Sequence, residues 1–544
     1  MPTFGSLPLN ISNMDTASGR FGAPSSPKFW RSLPREIQLM ILDCLFANYL
    51  PKRTDAAPGK MCRISALSPV CKDWQYLVET HTFRRLSLKV PDLPRFSKFV
   101  EGKNAIRLNH IRHLSFRIEL TPYTCPTCNK PEKRATIARN NQVFTSALVR
   151  LLKVLSYWDR THGGLTLEIT ALSPSDVEHH GYEPELAHDY PFQLEEDLEQ
   201  SPSFREYHTT KSAEPRAFSN RHMRAALVRL HGTPLEMTPL SQKGRRKPSP
   251  TLSETPIVKG FLIRRSFVRG FALSTLAKLF NESLVALEWF RFERWASFTY
   301  HEEIAFYTDL RAFLIPALPQ TVKRLSFSQW PRWKPPWMHD TFDQIDLRKS
   351  LSRVLAPLVL QLTEFCPPDL MNLSEFLDQL GQMSGRSGEA KLELLSIKGG
   401  RFAQCCVTKM LTLTAAAAKA LPRLRILEVW HDTRGYEYLF RYTQSNNQAT
   451  ITWMNGGKGY PLAPEVLEAW EGVASAEHII LAAQEFLTPG QALLVSISRV
   501  HQLHADPAFF ESIPDFNQPS IILFINDNMK GLASAYTIPS LWRS

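Results

Sequence analysis

A chain of 544 residues, 43% hydrophobic and 11% aromatic, can bury a large core and fits a globular protein. No run approaches the roughly 20 consecutive apolar residues of a membrane span, and residues 1–28 lack the basic and apolar segments of a secretory signal. A net charge of +12 is mild at this length, and eight scattered cysteines point to a reducing compartment, cytoplasm and/or nucleus, without a disulfide framework.

Residues 1–28, rich in Pro, Gly and Ser, are expected to be a disordered leader. Over 29–80 the pattern predicts three helical pieces. Ser32 is placed as an N-cap, with Pro34 in the first turn, where its missing N–H costs little. Ile37, Ile41, Cys44 and Leu45 then share one face. After a polar loop at 47–63, a short helical turn is expected around 64–67. The third helix opens with Ser68 as cap and Pro69 at the first helical position, and carries an apolar stripe of Val70, Trp74, Leu77 and Val78.

Downstream, a short pattern recurs: apolar, two residues, Leu, one residue, apolar. It reads FRRLSL from Phe83, IRHLSF from Ile111, LVALEW from Leu284, VKRLSF from Val322, LELLSI from Leu392 and LRILEV from Leu424, with a looser VLQLTEF near Leu362. The later central leucines, 287, 325, 362, 395 and 427, lie 38, 37, 33 and 32 residues apart. Helical stretches at 303–318, 342–358, 370–380 and 406–421 fall between them. A strand then a helix, repeated roughly every 30–40 residues, marks a solenoid of stacked units. An ordinary α/β domain with parallel strands is the alternative. An amphipathic helix is expected over 141–158. Residues 436–456 read as a hairpin turning near Asn446 and Asn447, 463–475 as a helix suited to cap an open end, and 520–525 as a strand.

Residues 173–256 are too long for a compact loop and read as a charged, partly disordered insertion. Acids crowd its first half, and 163–204 holds no Lys or Arg, whereas 205–269 is basic. Solvated charge is the ordinary reading of such blocks. Nucleic-acid binding by the basic half is an alternative without an interleaved aromatic pattern to support it. His179 and His180 read as a solvated pair.

There is no phosphate-cradling loop, no G-x-S-x-G and no H-E-x-x-H, so neither catalytic residues nor a cofactor are expected. Cys125 and Cys128 have the C-x-x-C spacing that lets two thiolates reach one metal ion, but no second pair follows nearby. A structural turn with reduced thiols is the expectation, and bound zinc the alternative. Cys405 and Cys406 read as buried packing. The three Trp of a Pro-rich loop at 330–340 read as core or rim anchors, with a contact surface as the alternative.

The N-terminal module resembles an F-box. Leu33, Pro34, Glu36, Ile37, Ile41 and Leu45 match its first half, and Leu67, Val70, Cys71, Lys72, Trp74 and Leu77 its second. The intervening loop is longer than that family's. The remainder is similar to filamentous-fungal F-box proteins with degenerate leucine-rich-like repeats, through CPTC, LLKVLSYW, ATITWMNG and LEAWE. The resemblance implies a non-enzymatic substrate adaptor of an SCF-type cullin–RING ubiquitin ligase. It would dock on the Skp-type adaptor, and through it a cullin, by Leu33, Pro34, Ile37, Ile41, Leu45, Val70, Cys71 and Trp74. Trp74 would serve partly as internal packing, and an unidentified protein substrate would bind the repeats. A scaffold without ubiquitination is an alternative, as is a chain whose own core takes up these apolar residues. The implied α/β architecture is a leader (1–28), a three-helix F-box (29–80), first repeats with the amphipathic helix (81–172) and the insertion (173–256). An irregular leucine-rich-repeat-like solenoid (257–435) and a C-terminal hairpin, helix and capping segment (436–544) complete it.

Overall fold

The computed structural model describes residues 32–41 without 35 and 39, and residues 69–486 without 71, 101–106, 159–162, 181–219, 240, 243–244, 247–250, 265–268, 296, 298, 331–341, 369–370, 384–388, 400–403, 432–437, 446–447, 456–460 and 474–478. Helix α1 (Lys72–Thr82) leads into β1 (Arg85–Lys89), α2 (Leu93–Val100), β2 (His113–Glu119), α3 (Arg134–Leu155), β3 (Leu165–Leu172), α4 (Pro174–His180) and α5 (Asn220–His231). A small ribbon, β4 (Ser241–Gln242) and β5 (Arg245–Arg246), precedes β6 (Val258–Ile263), α6 (Leu273–Glu282), β7 (Trp289–Trp295), α7 (Tyr300–Asp309) and β8 (Arg324–Trp330). Then come α8 (Phe342–Leu355), β9 (Glu364–Cys366), α9 (Leu373–Gln382), β10 (Leu394–Lys398), α10 (Gln404–Lys419) and β11 (Ile426–His431). Strands β12 (Tyr438–Ser445) and β13 (Gln448–Asn455), helix α11 (Pro464–Glu471) and β14 (Ile479–Phe486) follow.

The architecture is mixed α/β around one open sheet of twelve strands, in which, the β4–β5 ribbon aside, spatial order is chain order. From β1 to β11 every pair is parallel. Parallel neighbours need a crossover, and helices such as α6 to α10 supply it. The pattern changes at β11, where β12 and β13 pair antiparallel as the expected hairpin, and β14 returns parallel beside β13.

Register explains the core. Leu86, Leu114, Leu167, Phe261, Phe290, Leu325, Phe365, Leu395, Leu427, Tyr442 and Ile451 face one another in turn across adjacent strands. All are buried. They pack with residues of the helices, among them Phe144, Leu148, Leu151, Phe280, Tyr307, Leu351, Phe376 and Leu411, in one cluster. The expected central leucines 325, 395 and 427 occupy this row. Leu287 and Leu362 do not, for each precedes its strand by a few residues and Phe290 and Phe365 take the slot. The helix expected over 141–158 runs from Arg134 to Leu155. Local chemistry sets two starts: Thr299 caps α7 by accepting from the Glu302 N–H, with Glu302 reciprocating on the Thr299 N–H, and Asn372 caps α9 by accepting from the Glu375 N–H.

Three expectations change. Helix α1 begins at Lys72, and Pro69 lies in a turn before it, a setting that suits the fixed φ of proline. Cys406 is exposed, because its neighbour Val407 takes the inward position. Within the stretch read as a charged insertion, α4 and α5 are formed, and His179 is 3% exposed instead of solvated. Among the described residues no helix is long and apolar enough to cross a membrane. Residues 487–544, including the strand expected at 520–525, lie outside the described residues, as do 331–341 of the Trp-rich loop.

Candidate docking surface and polar sheet face

The first helical segment presents its apolar residues outward. Residues 36–38 and 40–41 are helical, and Gln38 donates its backbone N–H to the Pro34 carbonyl and its side-chain amide to the Leu33 carbonyl. Polar Gln38 is buried, while Ile37, Met40 and Ile41 are 40%, 61% and 37% exposed. Val70 and Tyr76 are 41% and 47% exposed. Among the described residues, only Tyr157 and Phe313 join these five as exposed large hydrophobics. Leu33 and Trp74 are half-buried and Pro34 is exposed, whereas Leu45 and Cys71 lie outside the described residues.

The other end of α1 is clamped to the turn at 107–110 that precedes β2. Arg107 reaches Glu79 at 3.1 Å, Thr80 Oγ1 lies 3.2 Å from His110 Nδ1, and the Tyr76 and His110 rings meet edge to face. Burial of the His110 ring lowers its pKa, against the opposing pull of Glu79. Only Phe83 and Arg84 separate α1 from β1.

A second surface follows from strand alternation, because residues flanking each core position point to the opposite face. Ser115, Glu168, Leu262, Arg291, Ser326 and Cys366 pair in turn across six strands, and Ser396, Glu428 and Arg441 continue the parity. Charge here is held in opposed pairs. Glu168 meets His113 at 2.6 Å and Arg264 at 3.1 Å, Arg291 meets Glu293, and Arg441 donates to Glu428 at 2.8 Å. Two indoles lie among them. Arg324 stands over the Trp289 ring, and Lys398 lies 5.1 Å from the Trp430 ring, whose N–H donates to Ser396 Oγ at 3.2 Å. Gly260, in register with Trp289, makes room for that ring, which a Cβ would overlap. The Cys366 thiol is pushed up to about 12 chiefly by burial and stays a thiol near neutrality. Most of this layer is buried, Glu168, Arg291, Ser326, Cys366, Ser396, Glu428 and Trp289 among it, whereas Arg324 and Trp430 are half-buried.

Among the described residues one group of thiol, imidazole and carboxylate donors converges closely enough to share an ion: Cys125, Cys128 and His179. The first two are the sequence candidates. His179, more than 50 residues away, had no spacing signal to mark it. Nor did Glu168, Arg291 and Glu428, which show in sequence only as polar positions of alternating strands. The four basic side chains described within 205–269 all have partners. Arg229 lies over the Tyr123 ring, Lys259 is 3.5 Å from Glu288, Arg264 meets Glu168, and Arg269 grips Glu132 through two nitrogens at 2.8 and 3.1 Å.

Residues 317–505 match a family of unknown function (DUF6546). No curated protein matches the chain.

Proposed function

We infer that this chain is a non-catalytic substrate adaptor of an SCF-type cullin–RING ubiquitin ligase. The observation that carries the reading is the outward apolar face of the N-terminal module, at the residues that resemble an F-box. Burying an exposed aliphatic side chain contributes about 1.5–3 kcal/mol, so Ile37, Met40, Ile41 and Val70 together favour a partner's helices strongly. In this reading Leu33, Pro34, Ile37, Ile41, Leu45, Val70, Cys71 and Trp74 meet a Skp-type adaptor. The strand–helix array is a degenerate leucine-rich-repeat-like solenoid, a reading supported by chain-ordered parallel strands and their continuous apolar row. The protein substrate binds this array, with the half-buried Arg324 and Trp430 as anchors of the type enriched at interface hot spots. Other subunits transfer the ubiquitin. The alternative of nucleic-acid binding by the basic residues of 205–269 has no interleaved aromatic pattern to support it.

The test is co-elution of the full chain with a Skp-type adaptor in size-exclusion chromatography. Ile37→Asp combined with Ile41→Asp should abolish co-elution while the circular dichroism and unfolding midpoint stay unchanged. Undiminished co-elution of that double variant would overturn the reading.

A further inference from the structure

The connection between β2 and α3 carries a built corner. Pro126 sits inside a single 3-10 turn, Cys125–Thr127, with Cys128 closing it by donating its N–H to the Cys125 carbonyl at 3.3 Å. This turn is stitched to the start of α4. Ser173 Oγ donates to the Thr121 carbonyl at 3.1 Å, the Tyr123 N–H donates to Ser175 Oγ at 3.0 Å, and Ser175 Oγ donates back to the Tyr123 carbonyl at 2.7 Å. The Tyr123 hydroxyl donates to Asp176 at 2.8 Å, and Asp176 accepts from the Ser173 N–H at the same distance. That lattice presents the far end of α4 to the cysteines, with the Tyr123 and His179 rings stacked at 5.5 Å.

The donor atoms of Cys125, Cys128 and His179 all lie within 4.8 Å of one another. Tetrahedral zinc, with bonds of about 2.3 Å to sulfur and about 2.0 Å to nitrogen, sets neighbouring donors roughly 3.5–3.8 Å apart. Small side-chain rotations close the observed set onto an ion. Among the described residues the apolar support is meagre: Cys128 and Ala226 are the buried members of a satellite cluster separate from the main core, with Tyr123 and Cys125 against them. Three segments distant in sequence meet there with little hydrophobic area among the described residues to hold them, which is the circumstance in which a metal supplies folding free energy.

We propose that Cys125, Cys128 and His179 bind a zinc ion that staples the β2–α3 connection to α4. Binding releases two thiol protons to solvent. Two thiolates and a neutral imidazole around Zn²⁺ form a neutral centre, which suits a position where Cys128 and His179 are buried. Three protein donors leave the fourth corner to water or an exogenous ligand. The site is independent of the ligase reading.

Full-length protein purified without chelator should carry one equivalent of zinc by elemental analysis. Cobalt exchanged into it should give a thiolate-to-metal charge-transfer band and the ligand-field bands of a tetrahedral ion. His179→Asn and Cys125→Ser should each reduce the metal to a substoichiometric level, while Cys366→Ser, at the polar sheet face, should leave it unchanged. If either ligand variant fails to fold, thiol titration of the unaltered protein decides: a chelator should expose two additional reactive thiols. Protein that holds no zinc, takes up no cobalt and has the same thiol reactivity with and without chelator would overturn the proposal. Full zinc retention by both ligand variants would do the same.

Discussion

Glu132 and Glu364 are both carboxylates withdrawn from water, and their neighbours send them opposite ways. Burial alone would raise Glu132, but the hydrogen bonds and charge of Arg269, with the Thr233 N–H, outweigh it and hold the group below the usual carboxylate range. At Glu364 burial prevails over Arg324, Glu393 adds to it, and the pKa is pushed up to about 7. The consequences have opposite sign. Glu132 contributes stability that is present above its unfolded pKa and lost as pH falls through the depressed folded value. Glu364 is the reverse: the folded state holds its proton longer, so stability is lost as pH rises from the ordinary 4.5 to about 7. Glu364→Gln should therefore raise the unfolding free energy above neutral pH by about 1–2 kcal/mol, given its partial exposure. The gain should vanish below about pH 4.5, as read by denaturant titrations at several pH values. Arg269→Ala leaves a buried carboxylate uncompensated and should cost about 3–5 kcal/mol, with much of the loss recovered on adding Glu132→Gln. Gly232 belongs to the same device. At φ +53° it has the left-handed backbone that glycine favours, and a Cβ there would overlap Arg269.

At the scale of strands and helices, the sequence was legible wherever leucine marks the buried slot. Leu86, Leu114, Leu325, Leu395 and Leu427 stand in the observed row because an apolar–x–x–Leu–x–apolar run reports strand alternation directly. The reading slipped by three residues at Leu287 and Leu362. Those repeats place Phe290 and Phe365 in the slot, and the preceding leucine stands three positions earlier, so the same template fits one notch early. Strands β3 and β6 escaped altogether: Gly164 leads into β3 and Phe261 fills the slot in β6. Aromatic rings in these slots stack across strands, Phe261 on Phe290 at 5.6 Å. The polar face was illegible because its partners come from different strands, and a lone Glu or Arg in a sequence carries no sign of its pair. Two substitutions probe elements directly. Thr299→Ala removes the hydroxyl that accepts from the Glu302 N–H, while its backbone N–H can still donate to Glu302, and should lower stability by about 1 kcal/mol in denaturant titration. Gly260→Ala places a methyl group against Trp289 and should cost about 1–3 kcal/mol, with a shifted tryptophan emission maximum reporting the displaced ring.

Over the whole molecule, the matched family segment and the fold have different limits. The match to residues 317–505 begins just before β8, yet β7 and β8 pair along their full lengths and Leu325 packs between Phe290 and Phe365. A fragment beginning at residue 317 would carry β8 as an open edge beside an uncovered apolar row. It should aggregate or unfold without cooperativity in light scattering and thermal melts, where the full chain should do neither. A monomeric, cooperatively melting fragment would show that the sheet divides at that strand.

The short passage from α1 to β1 acquires a further meaning from the chain-ordered sheet. Adjacent strands stand about 4.8 Å apart, so the arc from the first to the last of twelve strands is roughly 50 Å. With α1 clamped at Glu79 and Thr80, that helix sits at the zero of that scale. Any position along the sheet is then held at a distance from α1 counted in whole strands. Gain or loss of one strand–helix unit would shift every site beyond it by one step of about 4.8 Å and rotate it by roughly 20°. Reach in such a molecule changes in increments, as on a ruler whose divisions are its repeats.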